Sequence, residues 1–176
     1  MNAGCYGAEI KDVLVSARVA DLSGGVRTVL PDELEPGYRS TILQRTGELV
    51  LEATFELVAA DAEACLARID ELNSRRWQSL PSGNPNVGSI FRNPPGDHAG
   101  RLIDECGLKG RRRGDAQISP KHGNVIVNLG AARAADVLAL MAEAWRAVEA
   151  SSGIRLEPEV VLAGGLAAEW RRMVAV

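Results

Sequence analysis

The chain has 176 residues, 46% hydrophobic and 24% charged, with a formal net charge of -3. This is enough for one ordinary domain, or one and a half small ones, around a real core. The negative balance and an aromatic content of only 4% exclude a nucleic-acid binder that works by bulk charge or by stacking platforms. Cys5, Cys65 and Cys106 are odd in number, widely spaced and form no Cys-x-x-Cys pair, so neither a disulfide scaffold nor a metal site is expected. The apolar runs are too short to span a bilayer and no basic-then-apolar leader opens the chain. With free thiols, this leads to the expectation of a cytoplasmic protein that enters no membrane.

The chain opens on a glycine-punctuated loop, Met1 to Gly7, which reads as a start inside a fold. Alternation predicts strands over Asp12 to Ala20 and Val26 to Leu30, joined by a Ser23-Gly24-Gly25 turn. Pro31 to Leu34 reads as one helical turn, and Gly37-Tyr38-Arg39 as a bend. Leu49 to Val58 is a strong strand pattern. Asp61 then caps a helix to about Arg75, with Cys65, Ile69 and Leu72 on one face. The Leu80 to Asn86 loop is the best internal boundary, followed by an extended Gly88 to Arg92. Pro94-Pro95-Gly96 turns, Asp97 caps a helix, and Gly107 stops it. Short strands are expected at Ala116 to Ser119 and Val125 to Asn128. The clearest helix runs from Ala131 to Glu149, where Ala134, Leu138, Met141, Trp145 and Val148 recur at helical spacing. A strand over Ile154 to Leu162, broken by Pro158, and a short terminal helix over Leu166 to Val174 complete an α+β pattern with helices on one side of a sheet.

Three segments pair glycine turns or strand edges with polar side chains. In Asn2 to Glu9, glycines would let backbone N–H groups approach a phosphate or a flat ring, although an ordinary tight turn explains them too. In Gly88 to Pro94, alternation places Ser89, Phe91 and Asn93 on one face. No Gly-x-Ser-x-Gly elbow is present, so a serine hydrolase is not supported. In Leu156 to Val160, Glu157 and Glu159 share a face on what Pro158 marks as an edge, suited either to acid/base work or to charge protection of that edge. Lys109, Arg111, Arg112 and Arg113 form a basic cluster that suits a pyrophosphate or a solvated loop. His98 and His122 are far apart in sequence and are poor evidence for metal; Trp77, Trp145 and Trp170 read as packing residues.

Taken in order, these segments resemble the UDP-N-acetylenolpyruvoylglucosamine reductases (UDP-N-acetylmuramate dehydrogenases). Asn2-Ala3-Gly4-Cys5-Tyr6-Gly7 resembles the family's Asn-Ala-Gly-Ala-Tyr-Gly, and Gly37-Tyr38-Arg39-Ser40-Thr41 its Gly-Tyr-Arg-x-Ser. Gly88-Ser89-Ile90-Phe91-Arg92-Asn93-Pro94 resembles Gly-Ser-x-Phe-Lys-Asn-Pro. Ala99 to Ile103 with Gly107 to Gly110, Ser119 to Asn128, and Leu156 to Val160 complete six blocks over about residues 1 to 164. The segment between Arg39 and Ser89 is short, which is similar to the branch without an extra substrate loop. Gly114-Asp115-Ala116 stands where the family has Gly-Gly-Ala, and Val125 where it has an aromatic.

The resemblance implies an oxidoreductase of peptidoglycan synthesis, hence of cell-wall biogenesis, shape and division. NADPH would reduce FAD, which in turn reduces the enolpyruvyl ether of UDP-N-acetylglucosamine enolpyruvate to the lactyl ether. It implies that Ser89 protonates the substrate, that Glu159 is the catalytic glutamate and that Arg39 is the catalytic arginine. It further implies cofactor contacts at Asn2, Gly4, Tyr6 and Gly7, and substrate contacts at Tyr38, Asn93 and Lys109. The implied layout is a remnant of the FAD-binding (vanillyl-alcohol-oxidase/PCMH-like) domain over residues 1–58, the C-terminal α+β substrate-binding domain over 59–164, and a tail over 165–176. Since the family's glycine-rich pyrophosphate loop has no counterpart here, weak FAD binding by this chain is expected. Two alternatives stay beside the enzyme: a non-catalytic remnant or UDP-sugar-binding module, and one half of a split enzyme whose flavin-binding half is a second chain.

Overall fold

The computed structural model describes residues 1–175. Its contacts divide the chain into two compact units, Met1–Cys65 and Leu66–Val176.

The first unit opens with a small hairpin, β1 (Gly4–Cys5) against β2 (Ala8–Glu9). Its two-residue tip, Tyr6 and Gly7, takes φ of 51° and 86°. Positive φ at both central positions matches the twist of a tight hairpin, and is why glycine stands at the second. Then β3 (Leu14–Ala20) lies between β4 (Val26–Val29) and β5 (Leu49–Phe55), antiparallel to both. The predicted turn at Pro31–Leu34 is a single 3-10 turn with Pro in its first positions, where the missing N–H costs nothing. A short helix, α1 (Leu43–Thr46), has no periodic signal in the sequence because one turn is too short to carry one. Ala17, Val19, Val29 and Leu34 are the buried hydrophobic residues of this unit.

Helix α2 (Ala62–Ser79) carries the chain from one unit into the other. Asp61 caps it as expected, its Oδ2 accepting from the Ala64 N–H at 2.8 Å. The predicted apolar face is not a buried face: no residue of α2 is buried, and Ile69, Leu66 and Trp77 are more than half exposed.

The second unit is built on a four-stranded antiparallel sheet in the order β6 (Asn86–Ser89), β9 (Val125–Asn128), β8 (Ala116–Ile118), β7 (Arg112–Arg113). The helix α3 (Ala99–Glu105) and the long α4 (Ala134–Ser152) supply apolar faces to one core with it. Of the residues of α4 that the periodicity singles out, Leu138, Met141, Trp145 and Val148 are buried, and Ala134, at the first position of the helix, is exposed. Gly153 ends the helix in the left-handed conformation, φ 72°, its N–H bonded to the Glu149 carbonyl. The stretch from Ile154 to Leu162 differs from the expected strand. It makes only an isolated bridge, Phe91 opposite Pro158, because Pro158 cannot donate to a ladder. Helix α5 (Leu166–Val174) lies inside the segment read as a tail, and its Trp170 is buried against Phe91, ring centroids 6.1 Å apart.

Candidate functional site

In the second unit, Ser89, Asn93 and Lys109, predicted from two separate blocks, line one open cleft of about 370 Å³. Strand β6 positions Ser89 by means of a bulge. Asn86 pairs with Val127 and Ser89 with Val125, so three steps on β6 meet two on β9. The extra residue is absorbed where Gly88 takes φ 77° and donates its N–H to the Asn86 Oδ1. A bulge re-aims the side chain that follows it, and glycine is the residue that does this without strain.

Glu159 comes to Ser89 through the backbone. Its N–H donates to the Ile90 carbonyl at 2.9 Å, and the Arg92 N–H donates to the Glu157 carbonyl at 2.8 Å, a short antiparallel pairing centred on the Phe91–Pro158 bridge. The other acid of the pair, Glu157, is largely exposed and 4.0 Å from the Arg92 guanidinium, a contact of little energetic weight.

The opposite wall of the cleft comes from α3 and from the turn between β8 and β9. Asn93 has a structural job there: its Oδ1 accepts from the Ala99 N–H at 3.1 Å, closing the first turn of α3. The expected cap, Asp97, binds its neighbours instead. It accepts from the His98 N–H and from Arg101 (2.7 Å to Nε), which holds its carboxyl down at about 2. The Ser119–Asn124 turn lies against α3 so closely that a Cβ on Gly123 would sit 2.6 Å from the Gly100 carbonyl oxygen. Lys109 pairs with Asp104 at 2.5 Å. Of the rest of the basic cluster, Arg111 and Arg113 reach Glu143 on α4 and Arg112 reaches Asp115, so strand β7 and its ion pairs account for them.

The same cleft is lined by His98, Arg101, Lys121, His122 and Asn124, to which the sequence reading gave no binding role. The histidines are 24 positions apart, and only the packing of the turn on α3 joins them to one wall. The Nδ1 of His122 accepts from the Asn124 N–H at 3.2 Å, which leaves the ring's proton on Nε2 in the neutral form. Burial, with the Lys109 ammonium second, lowers the His122 pKa. Among the described residues no cluster of three His, Cys, Asp or Glu side chains could hold a metal ion, and no helix is long and apolar enough to cross a membrane.

In the first unit, four other predicted residues come together. Asn2 is buried and fully used: Nδ2 donates to Glu9 Oε2 (3.0 Å) and to the Gly37 carbonyl (3.3 Å), and Oδ1 accepts from the Lys11 N–H (3.0 Å). It thereby ties the hairpin to the turn Gly37–Ser40, in which Arg39 holds φ 52°. The Arg39 guanidinium donates to the Gly4 carbonyl at 3.4 Å and stands 5.6 Å from the Tyr38 ring centroid. Gly4 faces Glu9, whose Cγ would be 3.0 Å from an added Cβ, whereas nothing lies within 4 Å of one at Gly7. Asn2 and Gly4 thus help hold the hairpin together, while Tyr6 and Gly7 form its exposed tip.

Residues 80–163 match the family model described as UDP-N-acetylenolpyruvoylglucosamine reductase, C-terminal domain. Over these residues the chain belongs to this family. It is 46% identical over 164 residues to UDP-N-acetylenolpyruvoylglucosamine reductase 2 of Symbiobacterium thermophilum, covering 93% of this chain and 53% of that protein. It is 47% identical over 165 residues to the reductase of Thiobacillus denitrificans, covering 93% and 51%. The crystal structure of the Thermus caldophilus reductase superposes with a TM-score of 0.79 at 42% identity, over 92% of this chain and 57% of that one. The chain thus spans about half the length of the curated relatives it matches. The mixed helices and sheets of the second unit are those of the reductase C-terminal domain, as the α+β reading expected.

Proposed function

We propose that this chain carries the substrate side of the reductase reaction, reduction of the enolpyruvyl ether of UDP-N-acetylglucosamine enolpyruvate in cytoplasmic peptidoglycan synthesis. The observation that carries it is the meeting of Ser89, Asn93 and Lys109 in one cleft, with the Glu159 backbone bonded to the residue next to Ser89. In this reading the first 58 residues are the remainder of a flavin-binding domain, and the Tyr6–Gly7 tip and Arg39 belong to the same reaction. FAD reduced by NADPH supplies the hydride when bound.

The chain's own residues do the rest. Hydride addition at the terminal carbon of an enolpyruvyl group leaves a carbanion at the ether carbon that is delocalised into its own carboxylate as an enolate, so the developing charge needs donors. The Arg39 guanidinium, fixed in charge and forked, offsets it. The carbon that must gain a proton is strongly basic, so a positioned Ser89 hydroxyl serves as its acid although serine is a weak acid in water. Glu159 orients or replenishes that proton. Lys109 and Lys121 place positive charge in the cleft for the diphosphate of the nucleotide sugar.

Supply of a flavin-binding half as a second polypeptide tests this reading. Co-expressed with that half from a relative, the chain should oxidise NADPH only when the enolpyruvyl ether is present. Ser89→Ala should lower the rate by about 10²- to 10⁴-fold. Ether-dependent oxidation that survives Ser89→Ala undiminished contradicts the assignment. A second reading, a UDP-sugar-binding module without catalysis, is favoured by the cleft lying wholly within residues 89–124. Ligand binding with no turnover in the assembled pair would select it.

A further inference from the structure

The strand pairing of β6 with β9 ends at Ser89 opposite Val125, yet the next two residues, Ile90 and Phe91, are completely buried. Their backbone groups need partners there, and β9 has already turned away into the His122–Asn124 turn. Asn124 takes the place of the missing strand. Its carbonyl oxygen accepts from the Ile90 N–H at 3.0 Å. Its Oδ1 accepts from the Phe91 N–H at 3.0 Å, and its Nδ2 donates to the Phe91 carbonyl at 2.8 Å. On the other edge of the same short segment hangs Glu159, held by the Ile90 carbonyl. The Asn124 side chain is itself 2% exposed, so these bonds are shielded from competing water.

We propose that Asn124 is the positioning residue of the cleft: a clamp that holds Ile90 by its backbone carbonyl and both backbone groups of Phe91 by its side chain, and so sets Ser89 on one side and Glu159 on the other. This rests on the proposed roles of those two residues. The neutral amide is required because one oxygen must accept while the nitrogen must donate; neither a carboxylate nor a hydroxyl offers both in that geometry. The ionisable and charged groups lining this cleft are His98, Arg101, Asp104, Lys109, Lys121 and His122.

Asn124→Asp tests the clamp while keeping size and shape. As a carboxylate it still accepts from the Phe91 N–H but opposes the Phe91 carbonyl. As a neutral acid it accepts and donates again, and burial beside a carbonyl raises its pKa toward that form. Amide hydrogen exchange is followed at about pH 7 and about pH 5, on either side of the expected titration. The result expected is a loss of at least about tenfold in the protection factors of Ile90, Phe91 and Glu159 at the higher pH, with recovery at the lower, while Met141 and Trp145 of α4 keep theirs. Unchanged protection at the three amides overturns the proposal, and so does an equal loss in α4, which would make Asn124 a general core residue. Calorimetry of the unmodified chain with UDP-N-acetylglucosamine enolpyruvate separates the two questions. A failure to bind there counts against the functional reading alone, and the exchange pattern still decides the clamp.

Discussion

The two units of the chain are held together very differently. The second buries seventeen hydrophobic residues in one cluster drawn from every helix after α2 and from both inner strands. The first buries four, and its strand β5 leaves Leu49, Leu51 and Phe55 at 64%, 54% and 44% exposure. A three-stranded sheet with an open apolar face is close to the lower limit of what holds itself in water. The difference teaches that the two halves of the proposed chemistry have different support. Ser89 and Glu159 stand on a closed core, whereas Arg39 and the Tyr6–Gly7 tip stand on a small unit with apolar surface to spare. In the proposed reading, that surface is where a flavin-binding half would cover the first unit.

The contrast can be broken by mutation, most strongly at Phe91. Phe91→Ala should cost ~3–5 kcal/mol, because the ring fills the space before Trp170 and nothing flexible can replace it. Trp77, Trp145 and Trp170 all lie in the second unit, so their fluorescence in a urea titration reads that unit. The same transition should stay where it is in Val19→Ala, a change confined to the first unit. Gly123→Ala comes next, at about 1–3 kcal/mol by the same titration, since the new methyl would meet the Gly100 backbone rather than a movable side chain.

A smaller effect is expected from His122. Its folded pKa lies below the ordinary histidine value, so the unfolded chain takes up a proton first as the pH falls. Stability from this residue is complete above about pH 6.5 and is lost as the pH drops from there through the lower folded value. His122→Gln should flatten that part of a stability–pH curve. The smallest effect should come from Leu51→Lys on the open face of β5, within about 0.5 kcal/mol for the chain alone. In the co-expression experiment, however, that change should prevent assembly with the flavin-binding half, and assembly at the unmodified yield would refute the role given to the face.

Much of the second unit was legible in sequence for a physical reason. Helix α4 shows helical spacing because its face is buried from Leu138 to Val148, and β9 shows an apolar run because Val125, Ile126 and Val127 are all buried. Legibility failed where one side of an element had no cover. The apolar residues of α2 share a face by sequence, yet Cys65 and Ile69 are exposed and Leu72 is only half-buried, since periodicity records what a face can pack against and not whether the partner is present. Of the site, Ser89, Asn93 and Lys109 were found through ordered motifs. The places of His98, His122 and Asn124 in the cleft were not, because the turn that carries two of them meets α3 at Gly100 and Gly123, positions with no side chain to leave a pattern. The Arg111–Arg113 cluster suits a phosphate or a solvated loop by sequence, and Glu143, some thirty positions on, pairs with two of its members.

The most direct measurement is a calorimetric titration of the 176-residue chain with UDP-N-acetylglucosamine enolpyruvate, run beside Lys109→Ala. The account predicts saturable binding by the unmodified chain and a loss of about tenfold or more in affinity for the variant, the weight of one charge-assisted phosphate contact. Equal affinity in the two proteins would contradict it, as would no binding in either while both remain folded.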